Sequence, residues 1–242
     1  MAVQRQYGTR PFAPDAAAGA VAQLVLLEAL CRAVGLGTAG WLAGSVFAVA
    51  TVATLTRALC RSWPDSFGPA NRVTLARATL VGGVTALVAD SFGRRPAVTA
   101  LVGLIGLATV ALVLDAVDGR VARRTGTATP LGARFDMEVD AFLILVLSMY
   151  VARALGPWVT AIGAMRYAFV AASWALPWLR AALPHSTARK TVAACQGIVL
   201  VVAAAGIVPR EAEFGAVAGA LALLVWSFGR DAVWLWRARE PG

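Results

Sequence analysis

The chain has 242 residues, of which 59% are hydrophobic and only 14% charged, and its mean hydropathy is +0.71. A soluble domain carries about a quarter charged residues, so this composition excludes one and predicts an all-α, polytopic membrane protein. The formal net charge is +9, with Lys190 the lone lysine among 22 basic residues; the arginines punctuate apolar segments and do not pool in one domain, which argues against a nucleic-acid partner and suits a surface facing anionic lipid.

Residues 1–15 are polar, with Pro and Gly, and lack the basic–apolar–cleavage pattern of a signal peptide, so they read as a cytoplasmic tail. The first apolar segment, 16–34, is interrupted by Gln23, Glu28 and Arg32. Glu28 and Arg32 are an i, i+4 pair that neutralise each other, and a helix lying in the interface is the alternative to a span. A second span follows the turn at 35–40 and ends near Leu59. Residues 16–60 thus form an N-terminal helical pair, and 61–242 the main domain. After a loop at 60–70, Asn71, Thr74 and Arg77 open a third span reaching about Ala89. Their i, i+3, i+6 spacing spreads them around much of a turn, and an N-cap and a snorkelling arginine account for them. Further spans are predicted at 97–114, 137–154, 157–179, 192–208 and 214–236, each about the 17–25 residues that cross the hydrocarbon. The lone histidine, His185, and the cysteines Cys31, Cys60 and Cys195 show no triad or metal-ligand spacing.

Basic residues set the orientation. With the amino terminus inside, the segments at 5–10, 57–77, 120–134, 180–190 and 237–239 hold nearly all of them, whereas the outside turns carry Arg94, Arg95, Arg210 and the nearby Arg153. Trp158, Trp174, Trp178, Trp234 and Trp236 fall near predicted span ends, as an aromatic belt would.

The stretch 115–140 reads DAVDGRVARRTGTATPLGARFDMEVD. Asp115, Asp118, Gly119, Ala122 and Arg123 share one helical face, Gly132, Asp136 and Asp140 share another, and TGTATP between them can fold one helix back beside the other. Four carboxylates then converge, with glycines that permit close approach. Like charges so close repel, and an oxygen-only ligand set suits a hard divalent cation such as Mg²⁺. A solvated acidic helix end paired with Arg120, Arg123 and Arg134 is the plainer reading of a bare DxxD.

This stretch resembles the CDP-alcohol phosphatidyltransferase signature, D-x2-D-G-x2-A-R-x8-G-x3-D-x3-D, at every fixed position. The resemblance implies a six-helix core, here preceded by two extra N-terminal helices. It implies a membrane enzyme that moves a phosphatidyl group from a CDP-linked lipid such as CDP-diacylglycerol to an alcohol, releasing CMP, in phospholipid biosynthesis. Asp115, Asp118, Asp136 and Asp140 would hold Mg²⁺ or Mn²⁺, two ions in all, and Asp140 would also be the base that activates the acceptor. Gly119, Ala122, Arg123 and Gly132 would bind the CDP-lipid. PANRVTLAR resembles the P-N-x-x-T-x-x-R start of the first core helix, which adds Asn71 and Arg77 near the nucleotide. Arg120 and Arg124 read as interface anchors.

For the acceptor, Arg166, Arg189, Lys190 and Arg230, with Arg180, supply enough cation to favour a polyol phosphate such as glycerol 3-phosphate or inositol phosphate. ARKTVAACQ partly resembles the basic-Lys-Thr…Gln segment of glycerol 3-phosphate enzymes. Many of those carry Lys directly after the last aspartate, where this chain has Ala141, so inositol phosphate and serine stay open. Within the sixth span, Arg166 pairs with Asp140 or Asp90, or lines an anion pocket. The basic bias puts both termini and the aspartate motif on the cytoplasmic face; the expected setting is a bacterial-type inner or plasma membrane, among membrane lipids, with a homodimer left open. The competing classes are a cation-binding transporter or channel, which would spread charge along several spans, and prenyl-diphosphate chemistry, which wants a DDxxD that DAVD lacks. Reporter fusions after residues 65, 92, 128 and 186 should read inside, outside, inside and inside; an outside reading at 128 overturns the orientation.

Overall fold

The computed structural model describes residues 14–61, 69–94, 96–125, 130–181, 183 and 186–239. Every regular element among them is helical: α1 (Pro14–Val34), α2 (Thr38–Arg61), α3 (Pro69–Gly93), α4 (Val98–Thr125), α5 (Pro130–Leu155), α6 (Thr160–Ala175), α7 (Thr187–Ala205) and α8 (Arg210–Arg237), with 3-10 turns at Pro157–Val159 and Pro177–Arg180. Apolar runs of this length satisfy their backbone polar groups only as helices when water is absent. Six of the helices, α1 to α4, α7 and α8, are long and apolar enough to cross a membrane.

The segment expected to span 157–179 is not one uninterrupted α-helix. Pro157 and Pro177, lacking an amide hydrogen, begin separate 3-10 turns on either side of a sixteen-residue α6. The first turn runs directly into α6, and together they rise about 30 Å, about one hydrocarbon core, before extended backbone at Leu176 breaks the helix ahead of Pro177. The first half of α5 carries Asp136, Glu138 and Asp140, and its end carries Arg153, so charge brackets its apolar stretch. The helices at the acidic motif also outrun the apolar stretches: α4 continues past the expected 114 to Thr125, and α5 begins at Pro130 instead of 137.

Helix α3 is the centre. It packs against α1, α2, α4 and α5, and 61% of its span is buried within the molecule against 17–33% for the other five spans. On the far side of α5 lie α6 and α7, and α8 packs on α7. Leu104, Leu143, Leu147, Leu200, Val81 and Val84 form the best-buried part of the core between these helices.

The turn between α1 and α2 is tied to the end of α3. Gly35 at φ +65° ends α1, a conformation glycine adopts without a Cβ penalty. The Gly37 amide donates to Asp90 Oδ1 at 2.9 Å, Arg94 Nε donates to Asp90 Oδ2 at 2.8 Å, and an Arg94 Nη donates to the Gly35 carbonyl. Asp90 is therefore engaged by Arg94 and this turn, not by Arg166.

Where α6 crosses α5, a Cβ on Gly163 would lie 2.3 Å from the Leu145 Cα, a backbone atom that no rotamer change can move. Gly163→Ala should therefore destabilise the protein by about 1–3 kcal/mol through overpacking. Gly219→Ala on α8, where a Cβ meets open space, should leave it unchanged or slightly stabler. Thermal unfolding of both variants in one detergent checks this; equal midpoints would remove the close crossing.

Candidate active site

Three helices build the site at one end of the bundle. Helix α4 brings Asp115, α5 brings Asp136 and Asp140 one turn apart, and α3 brings Arg77 between them. One oxygen from each of the three carboxylates lies within 4.8 Å of the others. Arg77 Nη1 is 3.1 Å from Asp115 Oδ1; the same nitrogen donates to Asp136 Oδ1, and Nη2 donates to Asp140 Oδ1. The planar guanidinium fork, always charged, suits several carboxylates at once. Its side chain is 1% exposed, whereas the carboxylate side chains are 33–41% exposed. Arg77 is thus the floor of the cluster, and the acids open outward above it.

This corrects two readings of the third span. Arg77 does not snorkel; it is among the most buried side chains in the protein. Asn71 is not an N-cap, because α3 begins two residues earlier, at Pro69. Thr74, one turn before Arg77, is buried.

Of the four converging carboxylates expected, three are brought together. Asp118, Gly119, Ala122 and Arg123 ride on the end of α4, but what they touch lies outside the described residues, as it does for Asn71. Gly132 lies near the start of α5, half-buried. His185 and the Cys60 thiol are also outside the described residues; Cys31 and Cys195 are free thiols.

The donor set fits a hard divalent cation. Every donor is a carboxylate oxygen, the kind Mg²⁺ and Mn²⁺ take, and the partial exposure of all three acids leaves room for further ligation that Arg77 does not use up.

The expected acceptor residues divide. Arg166 pairs with Glu138 on α5, between the two motif aspartates in sequence, and not with Asp140 or Asp90. Lys190 is exposed. Arg189 and Arg230 converge on Asp231, each with a nitrogen 3.3 Å from one of its oxygens. Arg230 also donates to Ser186 Oγ at 3.3 Å and lies over the Trp226 ring, 5.1 Å from its centroid. Asp231 is 9% exposed. Sequence reasoning overlooked it and Glu138. A signal existed for Asp231, a carboxylate within the apolar run 214–236, where an ionisable group needs a partner.

A family model described as CDP-alcohol phosphatidyltransferase matches residues 67–228. The match takes in α3 to most of α8 and leaves out α1 and α2. No similar protein was found among curated proteins, and no similar structure among those solved.

Arg77→Met should cost about 2–3 kcal/mol of stability, below the usual range for a fully buried pair because its acidic partners are part-solvated. The same variant should gain more from millimolar Mg²⁺ than the parent does, since the divalent ion replaces the missing charge. Melting curves with Mg²⁺ and with chelator measure both. Unchanged melting without metal would show that Arg77 is not what holds the acids together.

Proposed function

The chain belongs to the CDP-alcohol phosphatidyltransferase family, and from that premise we propose that it transfers a phosphatidyl group from a CDP-linked lipid to an alcohol acceptor with Mg²⁺ or Mn²⁺ at the aspartate cluster. Family membership makes it a membrane transferase of phosphorus-containing groups in phospholipid biosynthesis. The observation that carries the finer reading is the meeting of Asp115, Asp136 and Asp140 from two helices over a buried arginine.

In this reading Asp115, Asp118, Asp136 and Asp140 hold two ions, which supply charge neutralisation on the pyrophosphate and on the leaving CMP. Asp140, one turn inward of Asp136, takes the proton of the acceptor hydroxyl. The new bond forms from that oxygen to the lipid-linked phosphorus, and the bond from phosphorus to the bridging pyrophosphate oxygen breaks. Arg77 keeps the Asp140 and Asp136 carboxylates aimed while their open sides face the substrate. Arg123 neutralises phosphate oxygens, Gly119, Ala122 and Gly132 let the nucleotide lie against the helices, and Asn71 completes the nucleotide side.

For the acceptor we favour a polyol phosphate such as glycerol 3-phosphate or inositol phosphate. Two arginines around one carboxylate, Arg189 and Arg230 at Asp231 with Ser186 beside them, leave net positive charge in a part-buried setting. Lys190 adjoins this group, and Arg166 stands next to the aspartates through Glu138. The active site is placed on the cytoplasmic face of a bacterial-type membrane, in line with the basic bias.

Membranes holding the protein should release CMP from labelled CDP-diacylglycerol when given the right member of an acceptor panel, and should cease on chelation. Asp140→Asn should keep CDP-lipid binding within about tenfold while transfer falls about a hundredfold or more. Asp136→Asn should weaken metal and CDP-lipid binding together. Equal loss of binding in the two variants would make Asp140 chiefly a ligand.

A further inference from the structure

Helices α1 and α2 lie outside the family match, yet they are joined to α3 by the Asp90–Arg94 tie and by direct packing. Between them runs an open apolar groove of about 580 Å³. Ala20 and Leu24 of α1 form one wall, and α2 forms the other from Ser45 through Val49 and Ala53 to Arg57. Small residues on α2 hollow it, and its surroundings, Val21, Leu24, Val25, Val46 and Val49, are exposed apolar side chains.

Three observations bear on what fills it. The first is length: from Ser45 to Arg57 the helix rises about 18 Å, slightly more than one leaflet of a hydrocarbon core about 30 Å thick. The second is charge. Arg57 closes one end of the groove, exposed and with no ion-pair partner among the described residues. That end is the one where α2 finishes, α3 begins and the aspartate cluster lies, so Arg57 stands at headgroup level on the side of the active site.

The third is Gln23. It is 3% exposed, its amide nitrogen has no hydrogen-bond partner, and its amide packs flat on Gly82 of α3. It lines a small hollow that shares Ala20, Ala48 and Val52 with the groove. A buried donor left unmade costs about 1–3 kcal/mol, so an acceptor is wanted there. Counted from the turn that joins the two helices, Gln23 lies about 12 Å deeper than Arg57. Cation, then amide donor, then apolar trough is the order in which a phospholipid presents phosphate, ester carbonyl and chain.

We propose that the α1–α2 groove is a binding site for an anionic glycerophospholipid of the leaflet that faces the active site, with its phosphate on Arg57, its glycerol beside Ala53, an ester carbonyl toward Gln23 and a chain along Val49 and Ser45. The occupant is a resident bilayer lipid, distinct from the CDP-linked substrate. The site also gives the N-terminal pair a role that the catalytic core does not need: it holds anionic lipid beside the helices where such lipid is made.

The test is retention of lipid by the purified full chain, read by native mass spectrometry with dioleoyl phosphatidylglycerol and dioleoyl phosphatidylcholine supplied in turn. The parent should retain phosphatidylglycerol about fivefold better, the worth of one basic residue at an anionic surface. Arg57→Gln should abolish that preference and leave the choline lipid unchanged, whereas Arg32→Gln, away from the groove, should leave the preference intact. Gln23→Met should lower retention of both lipids alike, since both carry the ester carbonyl. Ala53→Phe, which fills the trough from a lipid-facing helix, should remove both. Equal retention of the two lipids by the parent, or a preference that survives Arg57→Gln, would overturn the proposal. Loss of a dimer in Ala53→Phe with lipid retention unchanged would assign the groove to a second copy, and loss of CDP-diacylglycerol binding with phosphatidylglycerol retained would assign it to the substrate; either result overturns it too.

Discussion

Three carboxylates whose oxygens lie within 4.8 Å of one another are held by one buried guanidinium, and the arrangement of the central helices follows from that contact. Two unit charges at such a distance repel by about 3–4 kcal/mol at an effective dielectric of about 20. Two of the three pairs lie across α4 and α5 and would push those helices apart unless a cation lay between them. Arg77 is that cation, and it reaches the site only because α3 runs through the middle of the bundle, more deeply buried than any other span. The helix that carries no motif aspartate is therefore the one that assembles them. Ala78 and Ala86 on this helix are fully buried and let its neighbours approach.

The two ends of α3 serve different purposes. At the end where Arg77 lies, charge is concentrated and part-open, as phosphoryl transfer requires of groups that must meet a charged substrate. At the other end, Asp90 and Arg94 neutralise each other and fasten the α1–α2 turn. The N-terminal pair is thus fixed to the same helix that organises the aspartates, and the groove between α1 and α2 keeps a set position relative to the active site.

A second charged group, Arg189, Arg230 and Asp231, joins α7 to α8. Its logic reverses that of the first: two cations share one buried carboxylate, so the excess charge is positive. Gln196 reinforces the same helix pair by donating to the Ala220 carbonyl at 2.8 Å. The Asp231 carboxylate brings together two arginines that would otherwise repel, from residues 41 positions apart in the chain.

What was legible in the sequence is what repeats along a helix. The apolar runs set the helices, and the offsets of Asp115 to Asp118 and Asp136 to Asp140 put each set of acids on one face, because a helix places residues three and four apart together whatever surrounds it. The family resemblance rested on that local spacing. The break within the sixth segment is marked in the sequence by Pro177, yet apolar composition across 157–179 masks it. The pairings belong to the tertiary structure alone. Arg77 meets Asp136 and Asp140 across 59 and 63 residues, Arg166 chooses Glu138 over Asp140, and Asp231 is claimed by Arg189 from 42 residues away. Periodicity gives the face a side chain occupies on its own helix, but not which helix crosses that face or at what depth. That is settled by the packing of small residues at the crossings, and the charges then pair with whatever the crossings bring within reach.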